Sequence, residues 1–142
     1  MSTPFSKIYD KFLSQIEDGD IANLSEGDLK AILFSYMDTS ISLEFKQCKK
    51  DLLNHVDMDK EEFTVDITSE EINIIALGMV VAYLQPKIRH EQLLIQQIGD
   101  RDYKTFSGAN LLKELMELEQ LTKRRLREYV NSYTYNKILQ GD

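Results

Sequence analysis

Between Ile72 and Leu84 the chain is apolar at every position except Asn73, and no other stretch constrains the fold as much. A helix that is hydrophobic around most of its circumference must be surrounded by protein, so the run predicts the central helix of a core. Its start is written in the residues just before it. Thr68 and Glu71 have the Thr-x-x-Glu spacing of a capping box, and Ile67 with Ile72 takes the positions of a hydrophobic staple. Gln85-Pro86 kinks or ends this helix, and a polar-apolar continuation from Lys87 to Ile98 reads as helical up to Gly99. The run falls short of the roughly 20 apolar residues a membrane span needs, so no membrane partner is expected.

Three further helices follow from period and caps. The first begins near Pro4, a residue suited to a helix's first position. Phe5, Ile8, Tyr9, Phe12 and Ile16 then share one face, and Glu17-Asp18-Gly19-Asp20 forms the stop. The second is capped by Ser25, with Asp28 as a weak box partner and Leu24 with Leu29 as a staple. Leu29, Ile32, Leu33, Tyr36, Met37 and Ile41 follow on one face, with a continuation towards Phe45. The last runs from about Ser107 to Tyr133, a length of ~40 Å at the helical rise. Its apolar seam is Leu111, Leu115, Leu118, Thr122, Leu126, Tyr129 and Tyr133. As heptads the seam fails at Thr122 with Arg125 or Glu119, so this helix packs on a bundle and does not zip into a coiled coil.

Residues 46–66 lack such periodicity. Lys46-Gln47-Cys48-Lys49-Lys50 and Asp57-Met58-Asp59-Lys60-Glu61-Glu62 read as a frayed helix end and a surface loop. Phe63, Val65 and Ile67 alternate, which suits a short strand. A lone strand needs a partner, such as one from a neighbouring subunit. The expected architecture is therefore all-α: one bundle of about four helices over residues 1–133, a loop or short extended arm near 46–67, and a tail over 134–142.

At 142 residues the chain can bury a real core as one domain. A single cysteine, Cys48, excludes an internal disulfide framework and fits a reducing compartment. No basic-then-apolar leader pattern opens the chain, which argues against secretion. The net charge of −7 is uneven. Residues 1–85 hold 16 acids and 7 bases, a balance of −9, and residues 86–142 hold 8 acids and 10 bases, a balance of +2. So acidic a chain is poorly suited to gripping nucleic acid. Its two unlike halves favour head-to-tail contacts between copies, or are simply a solubilising surface.

No residue pattern carries catalysis. Asp57, Asp59 and Glu61 have the odd-position spacing of a calcium loop, but Glu62 stands where that loop needs Gly and Thr68 where it needs Glu. Cys48 with His55 and His90 falls short of a zinc set. No serine elbow, phosphate-cradling glycine loop or Glu-x-x-His repeat is present, so no enzyme activity and no cofactor are expected. Lys123-Arg124-Arg125-Leu126-Arg127 is the basic cluster. Arg124 and Arg127 are candidates for docking an acidic partner or DNA phosphates, although cations near a helix C-terminus also complement the macrodipole and Glu119 and Glu128 lie within pairing reach. Tyr129, Tyr133 and Tyr135 form an aromatic group at the end of this helix and are partner-binding candidates; the core seam accounts for the first two, while Tyr135 falls beyond it and invites an interface. Phe63 and Val65 join them as partner-binding candidates through the unpaired strand.

The stretches DITSEEINIIALGMVVAYLQPKI and IGDRDYKTFSGANLLKELMELEQLTKRRLREYVNSYTY resemble the neck proteins of tailed bacteriophages, the head–tail connectors or adaptors beneath the portal. The resemblance rests on the capped acidic entry Thr68 to Glu71, Pro86, the turn Gly99 to Lys104, the helix start Ser107 to Leu115, and Tyr133 to Tyr135. It spans roughly residues 63–135. It implies a structural virion protein made in the host cytoplasm and located in the neck. Copies would form a ring homo-oligomer, a dodecamer, around the DNA exit channel. That ring would dock on the portal protein through its C-terminal segment and receive a tail or stopper protein on its other side. Genomic DNA would pass through without sequence-specific binding, and loops such as Lys46–Asp66 would contact subunits or tail. The competing expectation is a small acidic helical regulatory protein that binds and modulates another protein.

Overall fold

A computed structural model describes residues 2–16, 24–43, 51–98 and 108–139. The Glu17-to-Asp20 stop, the Lys46-to-Lys50 stretch with Cys48, and the Gly99-to-Lys104 turn lie outside them. The order of elements is β1 (Thr3–Pro4), α1 (Phe5–Leu13), α2 (Glu26–Leu43), β2 (Val56–Asp57), β3 (Glu62–Phe63), α3 (Ser69–Ile98) and α4 (Gly108–Leu139). This is the helical bundle with a long last helix that the sequence predicts, with a small sheet added at one end.

The apolar run forms the middle of α3 and is the hub. Helices α1, α2 and α4 each pack mainly against it, and Ile74, Ile75, Ala76 and Met79 have no exposed surface. The capping box forms as predicted. The Glu71 amide donates to Thr68 Oγ1 at 3.2 Å, and the Thr68 amide donates to Glu71 Oε1 at 2.9 Å.

Pro86 does not end the helix; α3 runs through it for 30 residues. Proline removes one backbone bond and crowds the preceding turn. However, Leu84 before it and Ile88 after it are both buried, so core burial holds the turns on either side in line. Ser69–Gln97 is long and apolar enough to cross a membrane, and an apolar 18-residue window within it is 72% buried inside the bundle.

Helix α1 stops earlier than its apolar spacing suggests, at Leu13. The Ser14 hydroxyl donates to the Lys11 carbonyl at 2.7 Å, and the Gln15 amide turns to the Phe12 carbonyl at 3.0 Å. The last turn tightens and the helix closes. Helix α2 starts as read from Ser25, whose hydroxyl accepts the Asp28 amide at 3.3 Å. Leu33, Met37 and Ile41 form its buried face, and the buried Ser40 hydroxyl donates to the Ile75 carbonyl at 2.7 Å.

The extended segment finds its partners within the chain, not in a neighbouring subunit. β3 lies between β1 and β2, antiparallel to both, with Phe63 opposite Thr3 and Val56. Thr3 fastens the arrangement: its hydroxyl donates to the Val65 carbonyl at 3.1 Å and accepts the Ile67 amide at 2.9 Å.

Helix α4 continues to Leu139, so most of the expected tail is helix. Its 32 residues span about 48 Å. Its buried face also differs from the predicted seam. Thr122, Leu126, Val130 and Tyr133 are buried, whereas Leu111, Leu118 and Tyr129 are exposed. The contact with α3 follows i, i+4, i+8 and i+11, which turns Leu118 and Tyr129 to its flank. Thr122 is tolerated inside because its hydroxyl donates to the Leu118 carbonyl at 2.7 Å.

Candidate interaction surfaces

The seven residues expected at interfaces fall into two groups. Phe63 has no exposed surface and sits edge-on to Phe5, ring centres 5.0 Å apart. Val65 packs half-buried against the same core. Phe63 is a core residue and Val65 packs at the edge of that core: the alternation that suggests a free strand comes from burial of one face of this segment. Tyr133 is buried as well, with its hydroxyl donating to Glu71 Oε2 at 2.7 Å. A polar tip with a fixed partner explains a buried tyrosine without any external contact.

Arg124, Arg127, Tyr129 and Tyr135 are exposed. They do not form one patch. At 3.6 residues per turn, Arg124 and Tyr135 share the solvent side of α4, while Tyr129 lies roughly 120° or more away on the flank. Within the basic cluster Lys123 pairs with Glu119 at 3.6 Å, a half-buried i, i+4 contact.

Two apolar features escaped the sequence reading. The first is at the end of α4, where Tyr135, Ile138 and Leu139 are 62%, 68% and 67% exposed. They stand at i, i+3 and i+4, which places them together on one face of the helix. The sequence predicts a tail from position 134 onwards, and only the continuation of the helix brings the three onto one face.

The second is a groove of about 590 Å3 between α1 and α4, floored by Leu77 and Val80 of α3 with Leu118 beside them. Lys11 stands on its α1 side, and Arg125, Glu128 and Tyr129 on its α4 side. The heptad break at Thr122 and Arg125 was its one visible trace. A smaller groove of about 440 Å3 lies where α2 passes Pro86, lined by Tyr36, Thr39, Arg89 and His90.

Among the described residues no three His, Cys, Asp or Glu side chains come together to hold a metal. Asp57 of the calcium-like spacing is engaged in its own turn, where Oδ1 accepts the amides of Asp59 and Lys60, each at 3.1 Å. Titration is perturbed at Tyr9, whose hydroxyl is pushed up to about 12 by burial and then by the nearby Glu61 charge. Glu61 also raises the Lys30 ammonium, first through the hydrogen bond between them. These shifts follow from packing and a surface ion pair. Comparison with family models, curated proteins and solved structures returns no significant match.

Proposed function

We propose that the chain is a structural joint: a head–tail connector subunit that assembles as a ring beneath a portal and links the capsid vertex to a tail or stopper. The observation that carries this reading is the far end of α4. Among the described residues Tyr133 is the last buried one of the helix, and beyond it Tyr135, Ile138 and Leu139 keep one apolar face in water. A compact apolar cluster on a rigid helix end gains by being covered, which suits a docking element. The resemblance of residues 63–135 to phage neck proteins, in which the C-terminal segment meets the portal, points to the partner. The acidic balance supports it too, since a ring that lets DNA slide should not hold its phosphates.

Native mass spectrometry of the chain mixed with the portal ring of the same virus tests the reading. Several copies should bind each portal, and a chain ending at Tyr133 should not bind. No association of the intact chain with the portal, together with a stable one-to-one complex with a soluble enzyme, would establish the regulatory alternative instead.

A further inference from the structure

The loop closing the β2–β3 hairpin is the most acidic exposed turn among the described residues. Asp57, Asp59, Glu61 and Glu62 surround Met58, with Lys60 the one base. Met58 is 58% exposed at its tip. The tip is held rigidly: Asp57 Oδ1 caps the next two amides but one, Glu61 adopts a left-handed φ of 53°, and the Glu61 carbonyl accepts the Phe5 amide at 2.9 Å. A preformed knob loses little conformational freedom when it docks.

The groove between α1 and α4 is its complement. An apolar floor of Leu77, Val80 and Leu118 lies between two cations, Lys11 and Arg125. Neither cation is in an ion pair among the described residues. Glu128 is the single acid on the lining, as Lys60 is the single base of the tip. Apolar centre and charged rim are thus matched with opposite sign, the arrangement that fixes register at an interface.

A copy cannot fill its own groove. The Glu61 carbonyl accepts the Phe5 amide at the start of α1 at 2.9 Å, and its carboxylate pairs with Lys30 of α2 at 3.4 Å. The groove, by contrast, lies between α1 and α4 and is lined by Lys11 and Gln15 towards the other end of α1. Tip and groove are therefore on different sides of α1, one towards α2 and the other towards α4. A surface that offers a knob on one side and its socket on the other joins copies head to tail, and such a contact closes into a ring when the rotation allows.

We infer that the Met58 tip of one copy seats in the α1–α4 groove of the next, with Asp57 and Asp59 against Lys11 and Arg125. This rests on the reading of the chain as a ring subunit and gives that ring its interface. Full-length chain carrying the photo-crosslinker benzoylphenylalanine in place of Met58 is mixed with 15N-labelled chain at high concentration and irradiated. Mass spectrometry should find adducts joining the two isotopic populations at peptides containing Leu118, Arg125 or Tyr129. Arg125→Glu in the labelled chain, a change at an exposed residue, should lower their yield about tenfold. Adducts only within one copy, inter-copy adducts elsewhere, no inter-copy adduct, or a yield indifferent to Arg125→Glu would each overturn the assignment. Portal binding is scored separately. Portal rings that still bind a chain whose tip cross-links elsewhere leave the connector reading standing and sink this contact, and the reverse result does the opposite.

Discussion

The hydroxyl of Tyr133 donates a buried hydrogen bond of 2.7 Å to Oε2 of Glu71, 62 residues earlier in the chain. The other oxygen of the same carboxylate accepts the Thr68 amide at 2.9 Å. One buried side chain thus closes the N-terminus of α3 and anchors the later turns of α4 against it. Tyr133→Phe removes the donor while leaving the ring in place. Withdrawing a hydrogen bond from a buried carboxylate costs about 1–3 kcal/mol, seen as a lower urea midpoint with unchanged slope. Glu71→Gln, which preserves a capping-box residue, should cost less than Glu71→Ala.

Thr3 serves both a carbonyl and an amide of the 65–67 segment from a buried position. Thr3→Val keeps the shape and deletes both bonds, with an expected loss of about 1–3 kcal/mol. Amide hydrogen exchange should show the effect locally, with Ile67 losing protection before the helices do.

Phe63 and Tyr135 are opposites despite their shared aromatic character. Phe63→Ala empties a site without solvent exposure and should cost about 3–5 kcal/mol. Tyr135→Ala, at 62% exposure, should stay within about 0.5 kcal/mol and act instead on portal binding. Thermal melts of the two variants check the contrast.

Tyr9 makes stability fall at high pH. Its hydroxyl titrates near 10.0 when unfolded and at about 12 in the folded chain. Between those values the folded state holds more protons than the unfolded one. The contribution is fully present below the unfolded value and is lost as pH rises through the folded one. Urea midpoints collected from pH 9 to 12 should therefore decline, and the decline should be shallower in Tyr9→Phe.

Pro86 lies exposed within a continuous helix. Pro86→Ala restores the missing amide and the better helix former, for a gain of up to about 3 kcal/mol. An unchanged or lowered urea midpoint would mean that the surrounding groove has adapted to the proline.

The helices were legible because their signals are local. The capping box, Ser25 and the apolar spacing in α2 and α3 act within a few residues, and each appears where the sequence places it. What went unread is non-local. The pairing of Phe63 with Thr3 joins segments that no periodicity connects, so a strand with a partner in its own chain read as one without. The rotation of the α4 seam from Tyr129 to Val130 depends on which ridge meets α3, and a row of seven alternating candidates cannot specify it. Pro86 carries a strong local stop, but the burial of Leu84 and Ile88 overrides it. The groove belongs to three helices at once, so only the misfit at Arg125 hinted at it.

The hub position of α3 also sets an order of events during synthesis. Helices α1 and α2 emerge first, and each packs mainly against a helix not yet made. Nine residues of α1 are too few to hold a helix unaided, and Thr3 has no strand to join until Phe63 has been translated. The first half of the chain must therefore wait with Phe5, Ile8 and Phe12 incompletely covered, the α2 rings Phe34 and Tyr36 being partners for only the two phenylalanines. Its committed folding begins only as the Ile72–Leu84 run leaves the ribosome, making that interval the one in which a chaperone, or premature aggregation, would find its opportunity.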